Sequence, residues 1–214
     1  MHLTHNDLRQ GCLLRAIAHA IMTNVYPDLA WEVSWDGNSV SLQDGCGIRS
    51  TVTFLENACV GAIRNERGSV LFGEQMILER IADFPPALIA AAQEDTLQYL
   101  LEERDGMITP AVTSMFWCDS QGLRWASKDL AAFRQDFSVL NPCALPAAQA
   151  IEALRQYYEM EPSALALLQE LYRQKSASFE KAIYLTDAQR SSIPGQALTA
   201  QCREAFAELN IFLT

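Results

Sequence analysis

Cys46 sits between two glycines in Asp44-Gly45-Cys46-Gly47, and His19 is the histidine that falls well inside a helix-patterned stretch. A cysteine nucleophile needs a nearby base, usually histidine, to hold it as the thiolate. Flanking glycines let the backbone turn sharply and present the thiol to solvent. A Cys46–His19 pair is therefore the sharpest nucleophilic arrangement this chain offers. It defines one reading, a small cysteine-dependent hydrolase or transferase with its site near a sheet edge, in which His19 or a carboxylate serves Cys46. Neither residue lies in a known nucleophile motif. There is no Gly-x-Ser-x-Gly elbow, so serine hydrolysis of the α/β type has no signal.

Other site chemistries find less support. The chain has three histidines, of which His2 and His5 are three apart near its start and could take up stray metal. A structural zinc site needs four ligands at characteristic spacing, and no such set occurs. Neither glycine-rich phosphate-binding pattern is present, and no cofactor is implied. Trp31, Trp35, Trp117 and Trp125 all fall in strand-patterned runs and are expected to fill the interface between sheet and helices.

The carboxylates point elsewhere. The net charge is −10 over 214 residues. Residues 1–107 hold 15 acids against 7 bases, whereas 108–214 hold 11 against 9. Such a balance excludes non-specific nucleic-acid binding, which needs Lys and Arg for the phosphates, and disfavours anionic membrane surfaces. It suits a basic protein partner. The candidate partner-binding acids are Asp36, Asp44, Glu56, Glu94, Asp95, Glu102, Glu103 and Asp105. Glu102, Glu103 and Asp105 are expected at the C-terminal end of a helix that opens at Pro85-Pro86. That end carries the negative pole of the helix dipole, so several acids there suggest a surface kept for a partner. Arg49, Arg64 and Arg67 are the local bases, expected to pair with Asp36, Asp44, Glu56 or Glu66.

These residues must be positioned by a core. Ala30 to Arg67 is a series of short β-prone runs broken by Asp-Gly, Gly and Glu-Asn, the pattern of an antiparallel meander. Trp31, Val33 and Trp35 would share one face of its first strand. Gly61 within a strand marks a bulge or a close backbone approach. Ala111–Trp117 and Leu123–Ala126, joined by Asp119-Ser-Gln-Gly122, read as a later hairpin that extends the sheet. Helices are expected over 4–23, from Pro86 to Asp105, from a Ser127 cap to Phe137, and over 146–158, 162–174 and 195–209. Asn141-Pro142-Cys143 should break the chain between two of them.

The fold class is thus α+β, a meander with a later hairpin packed against N-terminal and C-terminal helices, as one domain over residues 1–214. No stretch approaches the roughly 18 apolar residues of a membrane span. The opening Met-His-Leu-Thr-His-Asn-Asp lacks the features of a secretory signal. Six cysteines without a Cys-x-x-Cys pair then fit reduced thiols in a cytoplasm. The leading functional expectation is a non-enzymatic, acidic cytoplasmic protein that binds and masks a basic partner surface. Bacterial immunity proteins, which neutralise partner toxins, share this physical character, although no motif places the chain among them. Apolar C-terminal helices leave a homo-oligomer as a further expectation.

Overall fold

The computed structural model describes residues 3–126 and 129–213. The fold is α+β. The chain forms two compact units, Met1–Leu8 with Gly37–Asn141, and Arg9–Asp36 with Pro142–Thr214.

Helix α1 spans His5–Met22. Thr4 caps it: Thr4 Oγ1 accepts from the Asp7 N–H at 3.2 Å, and Asp7 Oδ2 accepts from the Thr4 N–H at 3.0 Å. This reciprocal pair satisfies N–H groups that would otherwise lack partners at the helix start. A 3₁₀ turn over Pro27–Glu32 follows, so Trp31 is not in a strand as expected but in this turn, 46% exposed. Proline can open a helical turn because its missing N–H would be unpaired there. Strand β1, Val33–Asp36, keeps the predicted alternation, with Val33 and Trp35 buried.

The first unit contains the meander. β2 (Ser39–Gln43), β3 (Ile48–Phe54) and β4 (Cys59–Asn65) pair antiparallel in succession. After β5 (Leu71–Phe72) come α2 (Glu74–Arg80), α3 (Pro86–Glu94) and a 3₁₀ turn over Thr96–Leu100. The helix expected to run to Asp105 therefore ends at Glu94. Leu101–Arg104 is a strand, β6, paired antiparallel with β7, Met107–Val112. The later hairpin is present as β8 (Ser114–Asp119) and β9 (Gly122–Trp125), and β8 joins the meander at β4. The sheet runs β2-β3-β4-β8-β9, with β5-β7-β6 as a smaller sheet. Gly61 marks a close approach: it keeps regular register with Val52 and Phe116, and a Cβ there would lie 2.1 Å from Phe116 Cζ. The core between sheet and helices gathers Val60, Ala62, Ile77, Ile81, Leu88, Leu97 and Met115. Helix α4, Leu130–Asp136, is capped by Asp129, whose carboxylate accepts from the N–H groups of Ala131 and Ala132. The expected Ser127 cap lies outside the described residues.

A 3₁₀ segment over Phe137–Ala144 carries Asn141-Pro142-Cys143, so α4 and the next α-helix are separated there as expected. The second unit then contains α5 (Ala147–Tyr157), α6 (Pro162–Ala177), β10 (Ile183–Tyr184), α7 (Asp187–Arg190), α8 (Ala200–Glu208) and β11 (Ile211–Phe212). Helix α8 starts at a Thr199 cap, not at Gly195. β11 pairs parallel with β10, which buries Ile211 and places Phe212 against Tyr184 with ring centroids 5.4 Å apart. The C-terminal apolar run thus docks on its own unit. Among the described residues, no helix is long and apolar enough to cross a membrane.

Candidate functional site

Among the described residues of the first unit, the β6–β7 hairpin presents the most exposed large apolar side chains. Arg104 faces Met107 in the register, leaving Asp105 and Gly106 as a two-residue loop with φ of 53° and 77°. Positive φ at both loop positions is the turn geometry that matches strand twist, and Asp-Gly is a preferred sequence for it. Beside this loop, Met107 is 69% and Ile108 74% exposed. Leu101 is also exposed, and so are Glu103 and Asp105. Two contacts hold the hairpin. Glu102 binds both Arg49, on β3, and Arg64, on β4, with Arg64 Nε 3.0 Å from its Oε1. The Arg104 guanidinium lies over the Phe72 ring, 4.5 Å from its centroid. An apolar tip with acidic neighbours is therefore held out from a hairpin tied down at its base.

The expected pairing of Arg49 and Arg64 with Asp36, Asp44, Glu56 or Glu66 is corrected by these contacts. β6 brings Glu102 alongside both, a long-range approach that local sequence does not show. Glu102, Glu103 and Asp105 belong to a hairpin and not to a helix end, so no helix dipole acts on them. The remaining candidate acids are dispersed in role. Asp44 organises its own turn, accepting from the N–H groups of Cys46 and Ile48 at 2.8 and 2.9 Å. Glu56 is exposed between β3 and β4, and Glu94 and Asp95 are exposed at the end of α3. Asp36 is an exposed end of β1, in the second unit.

A second feature of the first unit is a cavity of about 420 Å³. The Asn65–Gly68 turn, α2, the β7–β8 corner and α4 all contribute to its lining. Asp136 is its buried carboxylate, only 5% exposed. Asn65 Nδ2 donates to Asp136 Oδ1 at 2.9 Å and Ser114 Oγ to Oδ2 at 2.5 Å. The hydroxyl contact has the short length of a charge-assisted hydrogen bond. Arg67 and Arg80 are exposed residues lining the same cavity, with Leu71, Ile77, Val112 and Met115 as apolar wall.

The second unit buries a polar cluster. His19 Nδ1 lies 3.1 Å from the Tyr158 hydroxyl and Nε2 3.4 Å from the Ala30 carbonyl oxygen. Burial, together with the positive charge of Arg15, lowers the His19 pKa to about 4. Burial likewise pushes the Tyr158 hydroxyl well up, while the Cys143 thiol is drawn down by a hydrogen bond from Cys12 and by Arg15. Glu32 Oε1 accepts from Tyr157 at 2.7 Å. His19 is therefore a structural histidine with both ring nitrogens engaged inside its own unit. Cys46 is exposed, in the turn ordered by Asp44. Among the described residues, no group of three or more His, Cys, Asp or Glu side chains is arranged to hold a metal ion, and His2 lies outside them.

No protein-family model, curated protein or solved structure matches the chain.

Met107 and Ile108 were not among the residues the sequence singles out, and neither were Asp136, Ser114 and Asn65. Asp105-Gly106 between β-prone runs was the available signal for the first pair. Nothing local distinguishes Asp136 from the solvated acids of other helices.

Proposed function

We propose that this chain is a non-enzymatic binding protein that masks a basic surface on another protein, with the β6–β7 hairpin as its point of contact. The observation that carries this reading is the exposure of Met107 and Ile108, one on each face of the tip of a hairpin anchored through Glu102. Scattered exposed apolar residues are ordinary, but two large ones on opposite faces of a tethered tip suit a partner's recess that takes the tip between its walls. Burying either fully would contribute about 1.5–3 kcal/mol. Glu103 and Asp105 flank the tip and favour a recess rimmed by Lys and Arg. Arg104 Nε stands 3.8 Å from Asp105, but both groups are largely exposed, so the pair is weak and open to exchange with a partner's cation. Complementary charge of this kind speeds association and fixes orientation. A cytoplasmic inhibitor of immunity-protein character fits this chemistry. His19, buried and with its pKa lowered, gives no support to the cysteine-enzyme reading, which would then need a carboxylate beside Cys46.

The test uses the full chain as bait at low and high salt, followed by variants. Met107→Asp with Ile108→Asp should abolish capture of a specific basic partner while leaving circular dichroism unchanged. Glu103→Lys should slow association and flatten the salt dependence. A partner retained by both variants, or no saturable partner at either salt, would remove the hairpin from this role.

A further inference from the structure

We infer that the cavity of the first unit binds a small zwitterion of amino-acid type, its ammonium group against Asp136 and its carboxylate against Arg67 and Arg80. A carboxylate taken out of water must be compensated by hydrogen bonds or a counter-charge. Asp136 is 5% exposed, and it accepts from two neutral donors, the Asn65 amide and the Ser114 hydroxyl. Each carboxylate oxygen can accept more than one hydrogen bond, so lone pairs remain. Among the described residues no cationic side chain forms an ion pair with Asp136.

Two cations, Arg67 and Arg80, nonetheless line the same cavity, together with a second acid, Asp129, whose carboxylate accepts from the first N–H groups of α4. Neither Arg67 nor Arg80 takes part in an ion pair among the described residues. Opposite charges that share a cavity without closing on each other leave space for a ligand carrying both signs. A simple anion would bring like charge towards Asp136, and a simple cation would do so towards the arginines. Guanidinium groups match a carboxylate with paired donors, and an ammonium adds a charged donor to the two neutral ones that Asp136 already has. The volume, about 420 Å³, lies in the range of small-molecule pockets. The apolar wall of Leu71, Ile77, Val112 and Met115 favours a ligand with an apolar side chain over a charged one. Zwitterion binding is independent of the hairpin: a chain that binds no protein partner could still hold the small molecule.

The experiment is isothermal titration of the full chain with each common L-amino acid in turn. The expected result is saturable binding of at least one with an apolar side chain. Its N-acetyl form, which loses the ammonium, and its methyl ester, which loses the carboxylate, should each bind about tenfold more weakly or worse, the loss of one charged hydrogen-bonded contact. Arg80→Gln, at an exposed position of α2, should weaken the parent amino acid about tenfold and leave the methyl ester unaffected. Asp136→Asn should weaken binding similarly. Should that variant fail to fold, Arg80→Gln and the blocked ligands carry the test alone. No saturable binding by any amino acid, or equal binding of the blocked forms, would overturn the assignment.

Discussion

Cys59 and Cys118 face each other directly across β4 and β8. Cys118 in turn donates to the Leu3 carbonyl oxygen at 3.0 Å. Burial and then the facing Cys118 thiol raise the Cys59 pKa, so its thiol is held protonated in the sheet. Burial also raises Cys202, to about 11. Alkylation requires thiolate and access. Iodoacetamide at neutral pH should therefore label Cys46 first, with the other cysteines reacting only after unfolding in denaturant. Peptide mass spectrometry along the time course checks this. Early labelling of Cys59 or Cys118 would mean that the β4–β8 pairing opens in the native protein.

Glu102 is the shared anchor of the hairpin, and removing its charge isolates Arg49 and Arg64 together. The three side chains are partly exposed, at 20%, 35% and 11%, so solvent screens the pairs. Glu102→Gln should cost about 1 kcal/mol in global stability, in line with partly exposed ion pairs. Hydrogen exchange at β6 and β7 should rise more than at β3 and β4. Uniform exchange across all four strands would show that Glu102 does not tether the hairpin.

His19 gives a pH dependence of definite sign. Its folded-state pKa, about 4, lies below the ordinary 6.5, so the unfolded chain binds the proton more readily. Stability from the neutral ring is fully present above about pH 6.5 and is lost as pH falls through about 4. Full loss would amount to about 3 kcal/mol for a shift of this size. Arg15 opposes protonation, and the nearby Tyr158 stays neutral in this range. Urea unfolding at about pH 7 and about pH 4.5 should show a steeper acid loss for the native chain than for His19→Gln. Identical losses would place the acid sensitivity on carboxylates elsewhere.

The meander was legible because its turns and strands are both written in consecutive residues. Asp-Gly and Gly punctuation separates runs whose alternation survives in β1 and β2. Thr4 and Asp7 likewise mark the start of α1 three residues apart. The stretch from Leu97 to Arg104 misleads for a physical reason. Leu97, Leu100 and Leu101 fall at helical steps, and Glu and Arg are good helix formers, so propensity favours a helix over the pairing with β7 that decides the matter. Asp105-Gly106 fits a helix stop as well as a hairpin loop, and only the partner strand separates the two. The cavity was beyond local signals altogether. Asn65, Ser114 and Asp136 are 49 and 22 residues apart in sequence, and only β4, the β7–β8 corner and α4 bring them into hydrogen-bond range.

Strand β7 begins at Met107, in the exposed tip, and ends at Val112, in the cavity wall. Five residue steps of extended chain separate the two, about 17 Å along one element. Occupants of the two places therefore meet the same strand from opposite ends. By thermodynamic reciprocity, whatever factor a bound zwitterion imposes on the affinity of a partner at the tip, that partner imposes the same factor on the zwitterion. Titrating either one in the presence of the other reads a single coupling constant twice.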